Sequence, residues 1–192
     1  MTNELAIKTE QLPNPSFNVK ADKGGFAAGI FSGTYITQTP FVSHTAEWAQ
    51  LSTQRYNLFV LEGESYTSGS FSIKENDALK HTKPELKKQF SPLGSDLLCM
   101  PCIFAAKNPN FKNAPNYLVA HVGKLTEIRT QGENIKFCFE KYEKFTQQLI
   151  NADMRHFNLL ENELRNQLDE VHWSIIEGNL LEIIDELGIE IK

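Results

Sequence analysis

Residues 117–140 constrain the fold of this chain more than any other stretch. Residues 117–128 are largely apolar on both alternating faces, as in a strand covered on both sides, and Gly123 interrupts them where a bulge or bend is expected. Residues 131–134 are polar and include a glycine, which suits a hairpin loop. Residues 135–140 then alternate between apolar and polar side chains, the pattern of a half-buried antiparallel strand. The stretch therefore predicts a long β-hairpin in the core.

Two other regions carry strand signals. Residues 56–61 are strongly apolar and residues 66–74 alternate, so that together they predict a second hairpin. A short helix is predicted from Ser95 to Pro101, because proline ends or kinks a helix. Residues 102–106 follow as an apolar run, which is typical of a buried strand.

Apolar residues recur at helical spacing in residues 40–51, 142–149 and 157–168. The clearest helix lies near the C-terminus, where Asn179 is expected to cap it and Glu182 occupies the third helical position. These segments predict that the helices come mostly after the strands.

The composition limits what the protein binds and where it works. The chain has 192 residues and a formal net charge of -5, so bulk charge does not attract a polyanion such as nucleic acid. No window approaches the run of about 18 apolar residues that a membrane span needs. The N-terminal residues are polar and show no signal-peptide pattern. With only three cysteines and no secretory signal, a cytoplasmic protein is predicted.

The elements together predict an α+β protein. Residues 1–23 are expected to be an extended or flexible segment, and residues 24–192 a single domain. Strands that precede helices favour an antiparallel, partly closed β-sheet with C-terminal helices packed on it.

Motifs for catalysis or metal binding are not found. Cys99 and Cys102 form a Cys-x-x-Cys pair in an apolar run, without the second pair that zinc requires, so buried thiols are favoured. The five histidines show no metal-site spacing, and Asp169 and Glu170 are interpreted as solvated. The sequence thus predicts no metal and no cofactor, and favours a protein that is not an enzyme. A hydrolase whose histidines and carboxylates meet only after folding stays open as the third alternative.

Three short segments in the second half of the chain are distinctive. Residues 100–105 read Met-Pro-Cys-Ile-Phe-Ala, residues 117–124 end a strand in Gly-Lys, and residues 172–175 read His-Trp-Ser-Ile. Together they resemble a group of uncharacterised bacterial and phage-borne proteins with Leu-Pro-x-Ile-Phe-Ala and His-Trp-Ala-Val segments. The strand-rich order is also similar to small PUA-like barrels of the ASCH and EVE type, which bind modified bases or RNA. The resemblance implies a barrel-like sheet and a base-containing ligand.

His172 and Trp173 are the strongest candidates for a binding site, since tryptophan stacks on a base while histidine donates a hydrogen bond. Trp48 and Arg129 are expected to complete it. In the structural alternative, Trp173 packs the last helix onto the sheet. The first functional hypothesis is a non-catalytic module that binds a nucleotide, a modified base or a single-stranded nucleic acid in an aromatic pocket. The second is a protein-interaction or regulatory subunit of a phage or defence system that acts as a homo-oligomer.

Overall fold

The computed structural model describes residues 48–63, 66–91, 93–159 and 166–191. The predicted N-terminal segment 1–23, the start of the domain at residue 24 and most of the helix predicted at 40–51 lie outside these residues.

In this part of the chain, six strands form one sheet in the order β2-β5-β4-β3-β1-β6. The strands are β1 (Arg55–Leu61), β2 (Ser70–Lys74), β3 (Pro101–Ala106), β4 (Val119–Gln131), β5 (Asn134–Thr146) and β6 (His172–Glu177). β1 and β3 are parallel, and the other neighbouring pairs are antiparallel. The sheet is open, with β2 and β6 at its edges, so the predicted partial closure into a PUA-like barrel is not supported.

Three short helices lie wholly within the described ranges and accompany the sheet: α1 (Pro84–Gln89), α2 (Gln148–Ala152) and α3 (Leu180–Glu186). The predicted cap of α3 is confirmed, because the side chain of Asn179 accepts a hydrogen bond from the backbone N–H of Glu182 at 3.4 Å. The helix predicted from Ser95 is a 3-10 turn, Ser95–Cys99. Of the helix predicted over residues 157–168, the described residues 157 and 158 lie in a turn, and residues 167 and 168 belong to a 3-10 helix, Gln167–Asp169. Among the described helices, none has the length and apolarity of a membrane span.

β4 and β5 are the predicted hairpin, and each is 13 residues long. Gln131 pairs with Asn134, so the loop consists of Gly132 and Glu133 alone. Gly132 has a φ of 60°, which suits the first position of a two-residue hairpin turn. The side chains predicted to face inward are buried: Ile135, Phe137 and Phe139.

Gly123 marks a bulge, as its position in the sequence indicates. The register shifts there, so that Tyr142 is an extra residue in the opposite strand. The extra residue moves later side chains of β5 to the other face, and Phe139 and Phe145 therefore lie in different hydrophobic cores. The helix predicted over residues 142–149 is wrong for most of its length, because the bulge in a continuing strand produces the apparent helical spacing.

The second hairpin predicted at residues 56–74 does not form. β1 lies between β3 and β6, while β2 pairs with β5 at the far edge of the sheet. All of β1 after Arg55 is buried, as in a central strand, whereas burial in β2 alternates. Burial on both faces, rather than closeness in the sequence, decides the partners of β1.

A separate hydrophobic core covers each face of the sheet. The helix core contains α2 and α3 and includes Leu58, Val122, Ile150 and Ile184. This arrangement confirms that the C-terminal helices pack on the sheet. The aromatic core lies on the other face, against α1 and the 3-10 turn at Ser95–Cys99. Its aromatic members are Phe59, Tyr66, Phe71, Phe90, Phe104, Phe137, Phe139 and Trp173.

Residues 78–82, here called the edge segment, cover the outer edge of β6. Ala78 forms a parallel bridge with Trp173, and the backbone N–H of Lys80 donates to the carbonyl of Trp173 at 3.1 Å. The backbone N–H of Ile175 donates to Oγ1 of Thr82 at 2.8 Å. These bonds pair backbone groups on the outer edge of β6, which would otherwise be open to pairing with another chain.

Candidate functional site

Trp173 is fully buried in the aromatic core. Its indole Nε1 donates to Oδ1 of Asn57 at 3.0 Å, and its ring stacks on Phe59 with 5.9 Å between centroids. A tryptophan whose polar atom is paired and whose faces are covered stabilises the core. The structural alternative, in which Trp173 packs the last helix onto the sheet, is correct in giving Trp173 a role in packing. It is wrong about the helix, because α3 covers the opposite face of the sheet.

The four residues predicted to form the site are not brought together. Trp48 is 7% exposed and belongs to the helix core, on the face opposite to Trp173. Arg129 is exposed near the tip of the hairpin, where its guanidinium pairs with Glu127. His172 is fully buried behind a cleft wall formed by His81 and Glu170. Trp173 contributes to the lining of a different cavity, of about 420 Å³, on the face of the aromatic core.

A polar cleft of about 700 Å³, here called the amide cleft, opens where β1 and β3 end and β6 begins. This volume is typical of sites for small molecules, and the carboxyl ends of parallel strands are a common place for them. The cleft is lined by Lys80, His81, Lys107, Asn108, Pro109, Asn110, Phe111, Asn166, Asp169 and Glu170.

A network of buried amides fixes the loop that follows β3. The side chain of Gln147 pairs with both main-chain groups of Ala106, accepting from its N–H at 2.9 Å and donating to its carbonyl at 2.7 Å. Nδ2 of Asn108 donates to Asn151 at 2.9 Å and to Oδ1 of Asp169 at 2.8 Å. Buried amide side chains that are paired in this way favour a single conformation. The wall of the amide cleft is therefore rigid at Asn108.

Beyond this fixed point the loop displays Phe111, whose side chain is 50% exposed. The ammonium of Lys112 lies 5.2 Å from the centre of its ring. Lys107, on the same loop, pairs with Glu62 at 3.2 Å. An exposed aromatic ring beside lysines is suited to stacking a planar ring that carries negative charge nearby.

A cluster of acid and base groups forms the opposite wall of the amide cleft. Oε1 of Glu170 lies 2.5 Å from Nε2 of His81, and Oε2 lies 2.8 Å from the ammonium of Lys80. The ring of His172 packs edge-on against His81 with 4.7 Å between centroids, and its Nδ1 bonds to the carbonyl of Glu170 at 2.9 Å. Glu170 therefore holds both histidines in position.

Burial and neighbouring charges set the protonation states of this cluster. Burial lowers the pKa of His81 by more than Glu170 raises it, so the imidazole is neutral at pH 7. Burial also lowers the pKa of His172, to about 4. For Glu170, burial alone raises the pKa, but Lys80 and His81 outweigh it and the pKa is lowered. The cleft thus offers a carboxylate, an ammonium and a neutral imidazole.

Sequence reasoning missed most of this cleft. The sequence pattern assigns Asp169 and Glu170 to a solvated helix face, but both line the cleft and have specific partners: Asp169 accepts from Asn108, and Glu170, whose side chain is partly exposed, pairs with Lys80 and His81. The two histidines are 91 residues apart in the chain, and only the pairing of the edge segment with β6 brings them together. The available signal was positional: polar residues that directly follow or precede apolar strands, as at Asn108 and Glu170, lie at one end of a sheet.

The cysteines differ from one another. Cys102 is fully buried, as predicted, and burial raises the pKa of its thiol, whereas Cys99 is exposed. Within the described ranges, no group of three or more histidine, cysteine, aspartate or glutamate side chains is arranged to hold a metal ion. Comparison of the chain with family models, with curated proteins and with solved structures finds no match.

Proposed function

We propose that this protein is a binding module that takes a small molecule of the nucleotide class in the amide cleft. The proposal keeps the ligand class expected from the sequence, and it assigns the stacking role to Phe111 instead of Trp173. The observation that carries it is the half-exposed Phe111 ring on a loop whose start is fixed by the buried amide network.

Stacking a base on an exposed aromatic ring contributes about 1–3 kcal/mol, because both surfaces leave water. Lys80 pairs with Glu170 at 2.8 Å and with Asp77 at 3.7 Å, and Lys107 pairs with Glu62 at 3.2 Å. Both lysines are available for a phosphate group, since these carboxylates are exposed or partly exposed. Such exposed ion pairs are worth about 0–1 kcal/mol, so a phosphate can replace the carboxylate at low cost. The net charge of -5 opposes bulk binding of nucleic acid, but not the local contacts of a single phosphate.

The test is calorimetric titration with the four ribonucleoside monophosphates at low salt. We expect saturable binding of at least one, and a loss of about tenfold in affinity for Phe111→Ala, as removal of a stacking contact predicts. Tyr117→Ala is the matched control, because Tyr117 is 75% exposed but does not line the cleft. If no nucleotide binds, or if both variants lose affinity equally, the proposal is wrong.

The second hypothesis, a protein-interaction or homo-oligomeric subunit, has one observation in its favour. The three large hydrophobic side chains exposed in the described residues are Phe111, Tyr117 and Leu149, and all lie on segments at the same end of the sheet. Exposed apolar side chains that form a continuous patch are typical of contacts with another protein. Light scattering decides this case: an oligomer that Tyr117→Ser converts to a monomer supports it, and a monomer at all concentrations argues against it.

A further inference from the structure

A second cleft of about 660 Å³, here called the edge cleft, adjoins the amide cleft. Its walls are the start of the stretch that leads into α1, at Thr82 and Lys83, and the second half of β6, at Ile175 and Glu177. Lys80 and His81 line both clefts. The two clefts therefore meet along one shared wall.

The shared wall carries the groups that an anionic linker requires. The side chain of Lys80 is 38% exposed, and that of His81 is 17% exposed. The ammonium of Lys87 donates to the carbonyl of Lys80 at 3.3 Å, which adds positive charge behind the same wall. A phosphate is the linker that such a wall favours, because it can accept a hydrogen bond from Lys80 in place of the Glu170 carboxylate and is attracted by both ammonium groups.

The far end of the edge cleft is also suited to a polar ligand. Lys83 pairs with Glu177 at its rim, and both side chains are well exposed, at 65% and 46%. Exposed pairs of this kind are weak and exchange readily with another anion. Pro84 and Ile175 give the cleft an apolar part, against which a sugar or a base can pack.

We infer that the two clefts form one continuous groove for two nucleoside units joined by a phosphodiester, as in a dinucleotide or a short single strand. One base stacks on Phe111 in the amide cleft, the linking phosphate lies at Lys80 and His81, and the second unit occupies the edge cleft. The inference rests on the proposed function, since it extends the same site and names its ligand more closely.

The test compares the dissociation constants of a ribonucleoside monophosphate and the matching dinucleoside monophosphate for the intact protein. We expect the dinucleoside monophosphate to bind at least tenfold more tightly. Lys83→Gln is expected to reduce this preference about fivefold, because Lys83 contacts only the second unit. Lys88→Gln is the matched control: it removes an exposed lysine of α1 that lies outside both clefts, and the preference is expected to stay unchanged.

The outcomes show whether the inference fails alone or together with the proposed function. Equal affinity for the two ligands overturns the inference and leaves the proposed function in place. A preference that Lys83→Gln does not change overturns the assignment of the second unit to the edge cleft. No binding of either ligand overturns both.

Discussion

Gly123 occupies a position that only glycine fits. A Cβ atom there would lie 1.9 Å from the carbonyl oxygen of Glu140, and the backbone on both sides is tied into the central hairpin. The close approach is a consequence of the bulge, since the extra residue opposite Gly123 bends the partner strand toward it.

Gly123→Ala is therefore expected to reduce the free energy of unfolding by about 3 kcal/mol, because the backbone must shift or the bulge must rearrange. Gly94→Ala is the control, since a Cβ there meets no atom within 4 Å, and its cost is expected to be at most about 1 kcal/mol. Urea denaturation measures both values. Equal costs for the two variants would show that the close approach at Gly123 is unimportant.

His172 gives the folded protein a specific dependence on pH. Its pKa is lowered from 6.5 to about 4 by burial, and His81, Glu170 and Lys80 are the charged or titratable groups around it. Between these two values the unfolded chain binds a proton that the folded chain does not, so stability is lost as the pH falls from about 6.5 to about 4. The full effect is on the order of 3 kcal/mol.

His172→Asn is expected to remove the share of this pH dependence that His172 contributes, because the amide keeps a polar atom near the position of Nδ1 but does not titrate. The measurement is the free energy of unfolding at pH 7 and at pH 4.5 for both proteins. His121→Asn serves as a comparison, since burial together with Lys141 and Lys144 lowers the pKa of His121 to about 4 as well. The account fails if His172→Asn loses as much stability on acidification as the native protein does.

At the scale of elements, Gln147 acts as a side-chain extension of the sheet. Its amide pairs with both main-chain groups of Ala106, at the last residue of β3, in the manner of a neighbouring strand. It thereby links the end of β5 to the loop that carries Phe111.

Gln147→Ala is expected to lower the free energy of unfolding by about 2–3 kcal/mol, since it leaves a buried N–H and a buried carbonyl without partners. It is also expected to weaken nucleotide binding, because the loop is no longer fixed. Gln148→Ala is the neighbouring control. Gln148 accepts one hydrogen bond from the backbone N–H of Ala114 at 2.8 Å, and this bond is only partly buried. Thermal unfolding and calorimetric titration measure the two effects, and a smaller loss for Gln147→Ala than for Gln148→Ala would contradict this role.

The elements also show what could be predicted from the sequence. The central hairpin and the cap of α3 follow from local patterns, alternation in β5 and the Asn179–Glu182 spacing, and both are confirmed. The pairing of β1 with β3 and β6 could not be predicted, because it depends on which distant strands share two buried faces. The contact of His81 with His172 depends on that pairing, so the amide cleft could not be predicted either.

At the scale of the whole molecule, the hydrophobic cores and the proposed binding clefts lie in different places. The two hydrophobic cores lie on the faces of the sheet, whereas both clefts lie along its end and the edge beside β6. Trp173 lies in one of the hydrophobic cores, although its sequence context favours a role in ligand binding.

Trp173→Phe is expected to cost about 1–3 kcal/mol of folding free energy, because Asn57 loses a buried hydrogen-bond partner and the core loses volume. Nucleotide affinity is expected to change by less than about twofold. Denaturation and calorimetry on the same variant separate the two. A large loss of nucleotide affinity in a variant that stays folded would show that Trp173 belongs to the binding site.

Amide chemical-shift mapping by NMR, during titration of the intact protein with each of the four ribonucleoside monophosphates, tests the central claim most directly. The account predicts saturable shifts concentrated at residues 107–111, at Lys80 and His81, and at Asp169 and Glu170, which line the amide cleft. It predicts little change at Trp48 and Trp173, which lie in the two cores. Shifts centred on either tryptophan, or no saturable shifts with any of the four nucleotides, would contradict it.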